Sequence, residues 1–411
     1  MKTVPLPPHW LRVGRRVPVD VRDASGRLLM ARNHLLETTQ QRDALLAHHA
    51  TLTETDASAW QRAFQREVQH YLQQGGALLG LRELPMPEGL ADTDYVEAQP
   101  LSGGWPDVLD ALRTLLDQGE HGLAPLARLR GLEVCLQELL RKDVDRALFE
   151  LMQALVDTQT PSCASHALLC GVLAHLCADK LDWPEELRNT VTRAALLMNL
   201  GMARQYDMLA RQKQPPDDAQ RAIIRDHAAL SVQRAQVMGL DHEAVLALMR
   251  WHHQDPPQPL PEALQPALEL LRVVDRLVAR LAARATRRAM TALYAVRELV
   301  LDVMQPGQRV GAALATVLGF YPPGSYVQLA DGETAVVLAR GARAHQPLVA
   351  SIVDGQGLAL ARALVHDTAE AGYAVQAAVD ARRIQVRLPA EKAMALRAAF
   401  GRVSSTSPGE R

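Results

Sequence analysis

The chain has 411 residues, 48% of them hydrophobic and 22% charged, so it is long enough for two or three domains and too apolar for a mainly disordered protein. Its 45 basic and 46 acidic residues give a net charge of −1, which excludes the strongly basic footprint of proteins that bind nucleic acid or acidic membranes. The sequence shows no apolar signal segment and no stretch that could span a bilayer, so we predict a cytoplasmic protein.

Residues 1–82 have the pattern of a small β/α module. Two β-type runs, near residues 17–21 and 27–31, flank turn-forming residues at 23–26, and a helical pattern follows them. Residues 83–104 then carry prolines and glycines at short intervals, a composition that predicts a linker.

Residues 105–305 are predicted to be helical almost throughout. Apolar residues recur there at positions i, i+3, i+4 and i+7, and strand signals are nearly absent. The core of this predicted bundle covers residues 161–305. Within it Cys163, Cys170 and Cys177 recur every seven residues, which places three thiols on one stripe of a helix and predicts buried, unpaired cysteines.

Residues 306–403 change composition and are predicted to form a β-containing appendage. Two β-rich runs around Asp331-Gly332 predict a hairpin. Residues 347–353 and 382–388 are further strand candidates, and residues 404–411 are predicted to be a frayed tail.

The helical region also holds residue types that suit a metal site. His166, His227, His252, His253 and Asp275 all fall on predicted helices or at their ends. Imidazole binds Zn, Mn and Fe, and a carboxylate completes many hydrolytic sites. In helical bundles such ligands converge on the core from different helices.

The order of these residues resembles that of the HD-GYP family. That family carries an isolated His, a His-Asp-x-Gly-Lys segment, a further His, a His-His pair before a Gly-Tyr-Pro loop, and a late Asp. The matching positions in this chain are His166, Met198-Asn199-Leu200-Gly201-Met202, His227, His252-His253 and Asp275. The resemblance covers about a third of the chain, and the family's His-Asp and Gly-Tyr-Pro motifs are both absent.

The resemblance implies a fold and an activity. The fold is mainly α: an HD-domain-like helical bundle, flanked by a small N-terminal β-containing module and a C-terminal β-rich appendage. The activity is that of a metal-dependent phosphodiesterase of the HD superfamily, with cyclic di-GMP as substrate and two cations held by a bridging carboxylate.

Three substitutions alter the site that the resemblance implies. Asn199 is neutral and a poor bridge between two dications, and Met198 offers a soft thioether where imidazole is expected. Met202 replaces a lysine that could pair with a phosphate. A partial site remains: His227, His252 and His253 for one divalent transition metal (Fe, Mn or Zn), with His166 and Asp275 as a second locus.

Four of the five candidate ligands also have a purely structural interpretation. His166 lies on the cysteine stripe and could be a hydrogen-bonded core residue. The His252-His253 pair could lie at an exposed helix end, where imidazolium favours the helix dipole. Asp275 could form a salt bridge with Arg272, three residues earlier on the same helix face.

The sequence therefore favours a degenerate HD-GYP-like protein: a catalytically impaired regulatory or interaction module in bacterial cyclic di-GMP signalling. Its expected partner is a cyclic dinucleotide or another protein, not nucleic acid or a membrane, and an oligomer is left open. The alternative is a metal-dependent phosphodiesterase or other phosphohydrolase that uses a residual mononuclear site. A third hypothesis is a resemblance to HDOD-type signalling modules, which have HD-like helices without the ligands.

Overall fold

The structure, a computed structural model, describes residues 3–73, 84–90, 104–156, 163–282, 285, 289–302 and 308–405. It divides into two compact units: Met1–Pro100 with Gly122–Gly131, and Leu101–His121 with Leu132–Arg411. No helix in these described ranges is long and apolar enough to cross a membrane. The mainly helical fold with β-containing parts at both ends is as predicted.

The first unit contains a four-stranded antiparallel sheet in the order β1-β4-β2-β3. The two β-type runs predicted near residues 17–21 and 27–31 form an antiparallel pair of strands, Val21–Arg22 and Leu28–Met30, which are shorter than the runs. The turn between them is held by the Asp23 carboxylate, which accepts hydrogen bonds from the backbone N–H groups of Ser25 and Arg27. The elements of this part are β1 (Thr3–Pro5), β2 (Val21–Arg22), β3 (Leu28–Met30), α1 (Thr39–Ala47), β4 (Thr51–Thr53) and α2 (Glu54–Gln73).

Residues 84–90, the larger described part of the predicted linker, pack against the core of the first unit. Met86 and Leu90 contact the buried cluster that includes Trp60 and Leu52. The Trp60 indole N–H donates a hydrogen bond of 2.9 Å to the carbonyl of Pro87. Residues 91–103 lie outside the described part of the chain.

The second unit is dominated by helices. Their bounds are α3 (Trp105–Gln118), α4 (Pro125–Lys142, which begins in the first unit), α5 (Val144–Val156), α6 (Cys163–Lys180), α7 (Glu185–Leu197), α8 (Ala203–Arg211), α9 (Asp218–Val237), α10 (Glu243–Trp251), α11 (Gln265–Leu281), α12 (Ala292–Asp302) and α13 (Gln308–Leu318). Helix α6 is buried along most of its length and packs against α3, α5, α7, α11 and α13. The three cysteines of the predicted stripe, Cys163, Cys170 and Cys177, lie on it, buried and unpaired.

The chain ends in a five-stranded antiparallel sheet, ordered β8-β7-β6-β5-β9, and a helix. The predicted hairpin is confirmed, and Gly332 adopts φ +89° in its turn. Phe149 of α5 packs on one face of the sheet, with Leu388 and Ala393. The elements are β5 (Tyr326–Leu329), β6 (Thr334–Ala339), β7 (Leu348–Val353), β8 (Ala359–Asp367), β9 (Val375–Val379) and α14 (Ala390–Ser405).

The strand predicted at residues 382–388 is wrong. The Asp380 carboxylate accepts a hydrogen bond from the backbone N–H of Arg382 and stabilises a short 3-10 turn, Ala381–Arg383. The strand that pairs with β5 on the side away from β6 is β9, which comes just before this turn.

Candidate metal centre

Four helices bring the predicted ligands to one region of the second unit. His166 lies on α6 and His227 on α9, while His252 and His253 follow directly after α10. Asp275 lies on α11. The ligand atoms form two groups, within each of which every atom lies within 4.8 Å of the others: His227, His252 and His253 in the first, and His166, Cys170 and Asp275 in the second.

Two imidazoles of the first group point ring nitrogens at each other. His227 Nε2 lies 3.2 Å from His252 Nε2. The opposite nitrogen of each ring, Nδ1, is 2.7 Å from a backbone carbonyl, that of Ile224 for His227 and that of Met249 for His252. A carbonyl only accepts, so both Nδ1 atoms carry the proton and, in neutral rings, both Nε2 atoms carry lone pairs. Two acceptors therefore face one another.

Protonation does not readily relieve this contact. Burial lowers the pKa of His252 to about 3, and burial also lowers the pKa of His227. Both rings are thus neutral near pH 7. A hydrogen bond from Nδ1 to a backbone carbonyl is also the support that metal-binding histidines commonly have, because it fixes the tautomer with Nε2 free to bind.

His253 completes the first group on its outer side. Its ring centroid lies 4.1 Å from that of His252 and 5.0 Å from that of His227. Its side chain is 45% exposed, in contrast to the other two rings. One side of the three-imidazole cluster therefore faces solvent.

Arg272 holds the turn that carries the histidine pair. Its guanidinium donates to the carbonyl of Trp251 at 2.9 Å and to the carboxylate of Asp255 at 3.0 Å. These bonds cap the carboxyl end of α10, where carbonyls lack helical partners. The alternative in which Arg272 pairs with Asp275 is thus wrong, because the guanidinium is engaged with the neighbouring turn.

Asp275 instead lies between the two groups. Its Oδ1 accepts a hydrogen bond of 2.9 Å from His166 Nε2, and its Oδ2 is 3.7 Å from His253 Nε2. Burial raises the pKa of Asp275, but the hydrogen bond from His166 and the nearby histidines together lower it by more, so the net pKa is about 2. The carboxylate is therefore ionised and shared by histidines from both groups.

Cys170 also belongs to the second group, although the sequence predicted it only as a buried, unpaired cysteine and not as a candidate ligand. Its Sγ lies 3.5 Å from His166 Nε2, and burial raises its pKa well above the usual value. The signal was available, because residues four apart on a helix share a face and Cys170 follows His166 by four. His166 Nδ1 is buried without a hydrogen-bond partner among the described residues.

The segment with the three substitutions, Met198–Met202, forms the corner between α7 and α8. Its second part, Leu200–Met202, is a short 3-10 turn. Met198, Asn199 and Met202 are all buried. The Ser231 hydroxyl accepts from the backbone N–H of Gly201 at 2.8 Å and donates to the carbonyl of Met198 at 2.7 Å. A Cβ on Gly201 would lie 2.7 Å from the carbonyl oxygen of His227, so only glycine permits this close approach to α9.

The residues present fit one metal ion better than two. The first group supplies three imidazoles, and the Nε2 lone pairs of two of them meet no hydrogen donor in the described part of the chain. In the second group, the Nε2 proton of His166 is already donated to Asp275. The corner supplies a thioether and a neutral amide where a dinuclear centre needs a bridging anion.

No protein-family model and no curated protein matches the chain. Among solved structures, a likeness is found to a protein described as Bd1817, a HDG"Y"P protein from Bdellovibrio bacteriovorus. The TM-score is 0.40 and the identity 14%, over 77% of this chain and 99% of that chain.

Proposed function

We propose that the helical domain binds one divalent transition metal through His227, His252 and His253. We propose further that it serves as a catalytically impaired regulatory module of cyclic di-GMP signalling, with a cyclic dinucleotide or a protein as partner. The observation that carries the metal site is the 3.2 Å contact between two Nε2 atoms whose rings both donate through Nδ1.

The facing lone pairs support a metal because the other ways to satisfy them are costly. A shared proton would place a positive charge on a buried ring whose pKa burial has lowered. A cation accepts both lone pairs at once. Three imidazoles suit Zn, Fe or Mn, and when bound such an ion would supply a Lewis acid at the exposed side beside His253.

The corner at Met198-Asn199 supports the proposed loss of hydrolysis, because it supplies no anionic ligand. Two-metal hydrolysis needs an anionic bridge that holds both cations and the attacking water. Asn199 is neutral, and Met198 is a soft thioether buried beside it. The remaining carboxylate, Asp275, already accepts a hydrogen bond from His166. A second cation would thus lack the charge that compensates its desolvation.

Metal analysis of the purified full-length protein tests the binding site. After incubation with Zn, Mn or Fe and removal of free ion, we expect about one equivalent of metal per chain. His252→Ala should lose it, whereas His175→Gln, which changes a half-buried histidine outside the cluster, should retain it. Protein that stays metal-free under all three conditions would contradict the site.

A hydrolysis assay tests the impairment separately. With Mn or Fe added, we expect no turnover of cyclic di-GMP by the natural chain. The triple variant Met198→His, Asn199→Asp, Met202→Lys should bind a second equivalent of metal, because it restores a bridging carboxylate and an imidazole. Turnover by the natural chain that His252→Ala abolishes would overturn the regulatory proposal and leave the metal site intact.

The exposure of His253 favours a second candidate, a mononuclear metal-dependent phosphohydrolase. Catalytic zinc sites keep three protein ligands and one open position, and the 45% exposed side chain of His253 marks the side of the cluster where one could lie. A simple aryl phosphate is a suitable probe. Metal-dependent release of the phenol that His227→Ala and His253→Ala both abolish would favour this candidate over the regulatory module.

A further inference from the structure

A second feature, in the first unit, is a turn with three arginines in five residues. Arg12, Arg15 and Arg16 lie between the short 3-10 turn at Pro8–Trp10 and strand β2. The turn is well supported by the backbone: Gly14 has φ +85° and donates to the carbonyl of Leu36 at 2.8 Å. The arginines are therefore presented by a defined backbone.

A carboxylate of the same chain occupies this turn. Arg15 Nη1 donates to Glu88 Oε1 at 2.6 Å, and the backbone N–H of Arg16 donates to Glu88 Oε2 at 3.3 Å. These two bonds lower the pKa of Glu88. A guanidinium beside a backbone N–H is a donor pair that suits phosphate oxygens as well as carboxylate oxygens.

Beside the donor pair lies a shallow depression with two indoles in its wall and room for about one water molecule. Trp10 and Trp60 pack edge to face with centroids 5.1 Å apart, and Met86 and Arg12 also line the depression. Trp60 is buried, whereas Trp10 is partly exposed. The depression is too small to enclose an organic body, so the anion donor pair is the part of this turn that suits a ligand.

The segment that carries Glu88 does not depend on this ion pair. Residues 84–90 are held by the packing of Met86 and Leu90 and by the hydrogen bond between Trp60 and Pro87. The side chains of Arg15 and Glu88 are 46% and 36% exposed, so water screens their attraction. Glu88 can therefore leave the donor pair while its segment stays in place.

We infer that the Arg15–Arg16 turn is a binding site for a phosphate-bearing small molecule, and that Glu88 occupies it when the ligand is absent. A phosphate carries more charge than a carboxylate and offers three acceptor oxygens to the same donors, so it displaces Glu88 by direct competition. The inference is independent of the metal site, which lies in the other unit.

The test uses the full-length protein and follows tryptophan fluorescence during titration with inorganic phosphate, AMP and acetate. We expect phosphate and AMP to bind, and Glu88→Gln to bind both more tightly, by on the order of fivefold, because the internal competitor is gone. Arg15→Gln and Arg15→Lys should both weaken binding, since neither keeps the guanidinium fork. Arg42→Gln, which changes an exposed arginine of α1 that pairs with Asp43, is the matched control.

Three results would overturn the inference. The first is absence of phosphate and AMP binding to Glu88→Gln, and the second is binding that both Arg15 variants leave unchanged. The third is acetate bound as tightly as phosphate, which would make the turn a general ion-pairing surface.

Discussion

The two groups of ligand-type residues in the helical domain contain similar side chains but differ in which hydrogen-bond donors and acceptors face each other. In the first, His227 and His252 are buried with their Nε2 lone pairs 3.2 Å apart. In the second, His166 donates its Nε2 proton to Asp275 at 2.9 Å. The atoms facing each other are two acceptors in one group and a donor with an acceptor in the other.

This difference shows that residue type alone does not make a metal site. A histidine N–H beside a carboxylate has its acceptor within the protein, whereas the facing lone pairs have no hydrogen donor among the described residues.

Removal of the hydrogen-bonded pair His166–Asp275 should lower the free energy of unfolding the most. We expect Asp275→Ala to lower the free energy of unfolding by about 3 kcal/mol, because it leaves the polar edge of buried His166 unpaired. Urea unfolding in the presence of a chelator measures this without any metal contribution. Asp255→Ala removes an exposed carboxylate paired with Arg272 and should change stability little. Equal losses in the two variants would remove the contrast.

Metal should stabilise the protein through the first group only. At a free metal concentration 100-fold above Kd, we expect a gain of about 2.7 kcal/mol in the free energy of unfolding. His227→Ala should lose this gain, and His166→Gln should keep it. The measurement is urea unfolding with metal and with chelator. A gain that vanishes in His166→Gln as well would show that the two groups bind the ion together.

The Met198–Met202 corner, which packs against α9, should not tolerate a side chain at Gly201. A Cβ there would lie 2.6 Å from the backbone nitrogen of Ser231 and 2.7 Å from the carbonyl of His227. We expect Gly201→Ala to destabilise the protein by about 2 kcal/mol, since backbone must move. Gly131→Ala, on a helix with open space around it, should be neutral or stabilising. Thermal unfolding of both variants is the check, and a harmless Gly201→Ala would contradict the close packing.

A half-buried histidine outside both groups provides the pH reference. Burial lowers the pKa of His175 to about 4, so below pH 6.5 the unfolded chain binds a proton that the folded chain does not. His175 should therefore contribute a fall in stability as the pH drops from 6.5 to 4, by about 1.4 kcal/mol per pH unit at most. In urea unfolding with chelator, His175→Gln should show a shallower fall. His121→Gln, at an exposed site, should not differ from the natural chain.

Much of the fold could be predicted because its signals are local. The helical spacing of apolar residues in 105–305 and the turn residues at Asp331-Gly332 both act within a few positions of the chain. The strand predicted at 382–388 failed because Asp380, two residues before it, bonds to the backbone and stabilises a turn. Alternation of side chains alone did not reveal that competition.

The sequence was enough to predict which residues form the candidate site, but not which of them contact each other. The spacing of apolar residues was enough to place His166, His227, His252, His253 and Asp275 in a helical region, and the order of motifs placed Met198-Asn199 where the resemblance expects a metal-binding pair. The packing of the helices is what joins His166 to Asp275, 109 positions away, and brings His227 to His252, 25 positions away, lone pair to lone pair. Such pairings depend on how helices pack and on which ring nitrogen a local carbonyl engages, and neither property follows from the spacing of residues along one helix.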